Sequence, residues 1–480
     1  MVKSQLIDLL QRFAPHELRE FQVFVASPYF NRSHYFNELQ ALLAFIIRAS
    51  PDFSEDKLDK TGAYEAVFSG STVVEGKIDK VMSELHKLAR EFIQVHTYAK
   101  EKNEFQQMLD LAAFYRENGM DNRYQSIVSR LEEQQKQISQ LDLDFFRRQF
   151  LLDCEQHAYE DKYNRKRDDI HIQKTLQSLD LYYFMLKTEL LNQYLVQQKV
   201  TLLDIPEEIL QAIKESRLPE RYEETYPVLM ISYQIFRLLE KEQPDISEFE
   251  NLLRFLRLHE ATIHPELLKS YYRCIRNFCV LLVNGGRNDL LPMLFEFQKE
   301  HYERGYMHHD DRIMPTTLLS VSNTALKLKE LEWAERFVTI HKNRIIGDNE
   351  SGDCYHLALA NYLFHTGAFE EALDTLPQVF QDLDFHLFSR RLELKIYYEL
   401  NSDLLPFKID AFKMYLSRAS HKVLSAQTKD RNAHFVNLLL QLSGTAPNDK
   451  TRARRLIERI NEKQTVADRE WLLEKAAGLA

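Results

Sequence analysis

The sequence predicts an all-α protein, a helical N-terminal unit followed by a long array of antiparallel helix pairs. Three observations predict it. Only 12 glycines and 13 prolines occur in 480 residues, under half the usual share, so there is little material for the frequent reversals that sheets require. Leu, Glu, Lys, Gln and Arg, all good helix formers, are abundant along the whole chain. Apolar residues recur at i, i+3, i+4 spacing in windows separated by short breaks. A hydrophobic fraction of 44% supports a large core and argues against global disorder.

The N-terminal unit is placed at residues 1–98. Leu6, Leu9, Leu10 and Phe13 mark a first helix, and Pro15 suits the first turn of a second. That helix carries Leu18, Phe21 and Val25 on one face and stops at Pro28. A third helix follows from about Ser33 to Ala49, then Pro51 breaks the chain. A short helix with Tyr64, Val67 and Phe68 ends at Gly70, and a long one follows with Ile78, Val81, Met82, Leu85, Ala89 and Phe92 on one stripe. The array is placed at 104–480. Helices are expected near 105–117, to about 140, 141–161 and 170–199, the last with Ile172, Leu176, Leu179, Tyr183, Leu186, Leu190 and Tyr194 at a mean spacing near 3.5. After Pro206, Pro219 and Pro227, pairs are expected at 228–242 with 246–259, 265–284 with 288–303, 315–328 with 331–345, 353–366 with 369–380, 386–400 with 404–418, and about 431–443 with 449–462. A helix near 465–478, containing Trp471 and Leu472, would cap the open end of the array.

Two stretches resemble known families. Leu359-Ala360, Gly367-Ala368-Phe369-Glu370-Glu371-Ala372-Leu373 and Leu376 resemble a tetratricopeptide repeat, in which a small residue lets two helices approach. Asp384 stands where that family usually has Pro. The cue recurs at Leu331-Glu332-Trp333-Ala334, so the likeness is best at 315–418 and implies an irregular tetratricopeptide-like superhelix. Glu17-Leu18-x-x-Phe21 followed by Ser27-Pro28-Tyr29-Phe30-Asn31 resembles the N-terminal region of uncharacterised bacterial helical proteins, a likeness that implies no activity.

No enzymatic signature emerges. There is no glycine-rich phosphate loop, no HExxH, no Glu three residues before a His, and no GxSxG elbow. No catalytic residue, metal site or cofactor is expected. The densest set of metal-type ligands, His308-His309-Asp310-Asp311, reads as a solvated polar loop, because four consecutive side chains cannot converge on one ion. Cys154, Cys274, Cys279 and Cys354 are scattered through apolar segments and read as buried thiols. The basic run Lys162, Arg165, Lys166 and Arg167 is neutralised by Asp161, Asp168 and Asp169. Lys450, Arg452, Arg454, Arg455 and Arg459 read as the polar face of an amphipathic helix. Most of the aromatics, Phe278 and Phe295 among them, lie at core spacing, and core packing is the reading for nearly all of them. A net charge of −10 gives no general attraction to nucleic acid or anionic membranes. No apolar run approaches a membrane span, and a cytoplasmic location is expected.

The expected function is protein or peptide binding by an adaptor or scaffold, on the concave face of the repeat array. The tetratricopeptide likeness puts Asn323 and Asn361 at the groove-facing ninth position of two successive repeats, with Arg391 and Lys395 near positions five and nine of the next. The asparagines would bond an extended peptide backbone. The cations would attract acidic groups, in part of a carboxylate clamp, although Leu357 stands where a clamp would need Lys. Two alternatives remain open at this stage. One is a nucleic-acid-linked regulator using the N-terminal helices or the C-terminal basic helix; the other is an enzyme whose site leaves no sequence signature.

Overall fold

A computed structural model describes residues 4–479 apart from 55, 70–73, 101–103, 163–169, 199–204, 242–244, 285, 349–351, 378–379, 381, 420–423, 425, 447–448 and 464. The basic residues Arg165, Lys166 and Arg167, with Asp168 and Asp169, lie outside the described residues. The fold is all-α, with 77% of the chain in helix. By compactness the chain falls into two units, Met1–Glu133 and Gln134–Ala480.

The first unit holds α1 (Gln5–Leu10), α2 (Pro15–Ala26), α3 (Phe36–Ile47), α4 (Lys60–Val67), α5 (Lys77–Lys100), α6 (Glu104–Glu117) and most of α7 (Asp121–Gln137). Ser4 caps α1 through its hydroxyl, and Glu17 of α2 accepts from the Ala14 amide at 2.8 Å, so both helix starts are satisfied by local side chains. Phe21 and Phe24 pack on Phe92 with ring centroids 5.3 and 5.5 Å from it, in the core between α2 and α5. The Ser27–Asn31 motif is structural. Asn31 is buried, its amide donates to the Val25 carbonyl at 2.9 Å, and its Oδ1 accepts from the Ser33 amide at 3.2 Å. Phe30 stacks on Phe24 at 4.2 Å. The motif thereby fixes the direction in which the chain leaves α2.

The second unit continues with α8 (Leu143–Lys162), α9 (Ile170–Gln198), α10 (Glu207–Lys214), α11 (Leu218–Arg221), α12 (Pro227–Glu240), α13 (Ile246–His259), α14 (Pro265–Asn284) and α15 (Leu291–Glu303). Then come α16 (Pro315–Lys327), α17 (Leu331–Ile340), α18 (Asp353–Thr366), α19 (Phe369–Thr375), α20 (Leu383–Glu399), α21 (Leu405–Arg418), α22 (Ala426–Ser443), α23 (Lys450–Glu462) and α24 (Arg469–Gly478). From α16 onward each helix packs on the next in the chain. Gly367 shows how one turn between them is made. With φ +84° it takes the left-handed conformation that ends α18, a position where any side chain would be strained.

The stretch His308–Asp311 departs from the loop reading. His308–His309 and Arg312–Ile313 pair as a two-stranded hairpin. Asp310 and Asp311 form its turn at φ 49° and 60°, a conformation that Asp tolerates better than most residues. Among the described residues no group of three or more His, Cys, Asp or Glu side chains could hold a metal ion, and no helix is long and apolar enough to cross a membrane.

Ala372 is fully buried with Leu357, Ala360, Phe364 and Leu392 where α18 and α19 touch. Ala372→Leu is therefore expected to destabilise by about 1–3 kcal/mol through overpacking. Urea denaturation of both proteins measures this, and a shift inside about 0.5 kcal/mol would mean the contact tolerates bulk as a surface does.

Candidate functional site

The helices α16, α18, α20 and α22 occupy alternate places in the array, and each contributes a polar row to one shared face. Asn323 and Lys327 come from α16, Asn361 and His365 from α18, Arg391, Lys395 and Glu399 from α20, and Arg431 and Asn432 from α22. A spacing of four residues within a helix puts two such groups on the same side. Across helices the row is continuous, since the Asn361 Nδ2 donates to the Asn323 Oδ1 at 3.5 Å.

Segment 465–478 lies on this row. Asp468 is the centre of the contact. Its Oδ2 accepts from the Arg391 Nε at 2.8 Å and its Oδ1 from the Lys395 Nζ at 2.9 Å. The Arg391 Nη1 donates at 2.8 Å to the Asn432 Oδ1, and Asn432 in turn donates to the Thr428 carbonyl at 2.7 Å. Asp468 itself sits at φ 50°, outside the start of α24. Burial opposes ionisation of this carboxyl. The neighbouring charges of Lys395 and Arg391, and the hydrogen bonds they donate, outweigh burial and hold it well below the usual carboxylate range. Burial and the Lys395 ammonium push His365 down to about 4, so its imidazole is neutral. The His365 Nδ1 lies 2.8 Å from the Asn361 carbonyl. Burial and the Arg391 charge also lower Arg431.

Further along α24, the Trp471 Nε1 donates to the Glu399 Oε1 at 2.9 Å and the Lys475 Nζ donates to the Glu399 Oε2 at 2.9 Å. The Trp471 ring packs edge-on to Tyr398 at 5.4 Å. Leu472 and Ala476 are buried. Glu470 reaches back to Asn288 and, at 4.0 Å, to Lys327 of α16. The capping role expected of this helix accounts for its packing on α22 and α23. It does not account for the contacts that return to α20, α16 and Asn288.

The four residues singled out in the sequence are therefore brought together, but not as an open surface. Asn323 is half-buried, Asn361 is 1% exposed and Lys395 4% exposed. The exposure expected of free groove residues is corrected: Asp468 pairs with both cations, and Asn361 is buried beside Asn323. Sequence reading missed Asp468, Glu399, Asn432 and Trp471 as members of the site. The signal for Asp468 and Trp471 was an acidic–aromatic run, Asp468-Arg469-Glu470-Trp471, at a helix expected only to close the end of the array. Comparison with protein-family models, with curated proteins and with solved structures returns no match.

Proposed function

We propose that this chain is a protein-binding scaffold. Its helix-pair array, most tetratricopeptide-like at 315–418, takes an acidic, helix-forming segment of a partner protein on the face lined by α16, α18, α20 and α22. The observation that carries this reading is the Asp468 carboxylate, gripped by Arg391 and Lys395 at 2.8 and 2.9 Å. A guanidinium and an ammonium converging on one carboxylate make a charge-assisted recognition point. Glu399 adds an acceptor for an indole N–H and a lysine one helical stretch away, as it does for Trp471 and Lys475. The ligand class follows from what now occupies the face: a helix preceded by Asp and bearing an aromatic residue near its start. This revises the extended-peptide reading, because Asn361, which would bond a peptide backbone, is 1% exposed and donates its Nδ2 to the Asn323 Oδ1.

Since α24 fills the site in cis, a partner binds by displacing it. A segment docked 99% of the time lowers the apparent affinity of an outside ligand about 100-fold. The test uses a fluorescent synthetic peptide of residues 465–479. Its anisotropy is followed with the wild-type chain, with Asp468→Ala/Trp471→Ala, and with that variant also carrying Arg391→Ala/Lys395→Ala. The variant with a released site is expected to bind at least about tenfold more tightly than wild type, more weakly as salt rises, and not at all once both cations are removed. Equal binding to all three proteins would reject the site. The released variant is then the bait for recovering the natural partner.

A further inference from the structure

α9 carries apolar residues on two opposite sides. One side holds Leu181, Phe184, Met185, Leu191 and Leu195, all buried in the main core of the second unit. The other side holds Leu176, Leu179, Tyr183 and Leu190, exposed by 56, 40, 50 and 58%. Ile172 and Leu186 continue the same row and are half-buried. At 3.6 residues per turn the centre of this row lies about 180° from the buried side. The 3.5-residue spacing visible in the sequence thus belongs to the solvent side of the helix, and Tyr183 is one of the aromatics outside the core. A row of large apolar side chains left in water along a helix marks a surface that another molecule covers.

The steps along the row alternate four and three residues, from Ile172 to Leu176, Leu179, Tyr183, Leu186 and Leu190. That is the pattern of a coiled-coil seam, and from 172 to 190 it runs for about 27 Å. The borders of the row indicate what pairs with it. In the seven-residue frame Leu176, Tyr183 and Leu190 take position a, and Ile172, Leu179 and Leu186 take position d. Position e is then Gln173, Asp180 and Lys187, and position g is Thr175, Tyr182 and Glu189. Glu189 is buried in the unit's own core. The charges left beside the row are Asp180 and Lys187, opposite in sign and on the same border.

Parallel pairing of two copies sets e against g, so Asp180 and Lys187 would face Thr175 and Tyr182 and gain no ion pair. Antiparallel pairing sets e against e. Asp180 of each copy then faces Lys187 of the other, twice about a two-fold axis, while Tyr183 packs on Leu186 and Leu179 on Leu190 of the second copy. A surface complementary to itself in this way closes as a dimer. Lys187 now leans back over the row, with its Nζ 2.8 Å from the Tyr183 Oη and 5.2 Å from the ring centre. A change of side-chain rotamer frees it to cross.

We propose that α9 is a homodimerisation helix, through which two copies of this chain pair as an antiparallel coiled coil. Light scattering on the full chain is expected to give twice the 56.9 kDa chain mass. Leu179→Gln/Leu190→Gln alters exposed side chains only, so it keeps the helical circular dichroism and melting point of wild type while halving the measured mass. Asp180→Lys and Lys187→Asp each place like charges face to face and weaken the dimer at least tenfold. Mixing these two single variants restores a dimer, because one chain then brings two lysines to the border and the other two aspartates, and both crossings pair opposite charges. The double reversal in one chain does the same. A wild-type chain that scatters as a monomer at every concentration overturns the proposal. So does a dimer indifferent to the leucine substitutions, which would put the contact elsewhere. So does a failure of the charge-reversed variants to recombine, which would exclude the antiparallel register.

Discussion

Asp468→Ala is expected to destabilise the C-terminal part of the array by about 3–5 kcal/mol. The carboxylate neutralises two cations, Arg391 and Lys395, that are themselves mostly buried. Removing it leaves both charges in a poorly hydrated place without the carboxylate that pairs them. The loss is far larger than an exposed ion pair would give. Urea denaturation followed by Trp fluorescence reads it well, since Trp471 lies three residues beyond the substituted position. The pH dependence has a fixed sign. The folded-state pKa of Asp468 is depressed, so its contribution is present above the unfolded value of about 3.9 and is lost as pH falls toward the folded one. Asp468→Asn should therefore approach wild-type stability only in strong acid. A change of less than about 0.5 kcal/mol at neutral pH would show that the grip on Asp468 contributes nothing.

The second large effect has the opposite sign. Glu189 lies on the core side of α9, where Ser232 donates to its Oε1 at 3.4 Å and Asn192 ties the Ser232 carbonyl at 3.1 Å. Burial pushes this carboxyl up to about 7, against the smaller pull of Tyr271, Ser232 and Arg273. A raised carboxyl pKa costs stability as pH climbs from the unfolded value, about 4.3, through the folded one, and the cost reaches about 3 kcal/mol. Glu189→Gln keeps an acceptor for Ser232 and carries no charge. It is expected to stabilise the protein by about 1–3 kcal/mol at pH 8 and to be near neutral at pH 4. Thermal melts of both proteins across that range decide it. An identical difference at both ends would mean Glu189 titrates normally. Together Asp468 and Glu189 make stability rise with pH below about 4 and fall between about 4.3 and 7.

The sequence is most informative where local rules decide. Gly367 and the small residues around it place the pair 353–366 and 369–380, and the helices run Asp353–Thr366 and Phe369–Thr375. Proline at 227, 265 and 315 marks helix starts that the structure has at those residues. What the pattern does not convey is which face is covered. The row from Ile172 to Leu190 is periodic, and periodicity says which residues share a side without saying what lies over it. The buried side of α9 is masked because Ser178, Thr188, Glu189 and Asn192 interrupt its apolar pattern. The burial of Lys395 is equally invisible. It depends on residues more than seventy positions away in the chain, and no local spacing encodes a contact of that range.

An array of helix pairs ordinarily behaves as a one-dimensional chain, in which each pair holds only its neighbours and the end can melt alone. The contacts of α24 change that connectivity. Trp471 and Lys475 return to α20, and Glu470 returns to Lys327 and to Asn288, 182 residues earlier. An end helix fastened to inner elements cannot come away without exposing them, and they cannot separate without releasing it. Release of α24 therefore uncovers α16 and α20 together, where an unlinked row would expose only its last pair. The array also gains an order of assembly, because closing so long a loop costs chain entropy that local pairing does not: α24 can dock only once the helices it bridges already stand side by side.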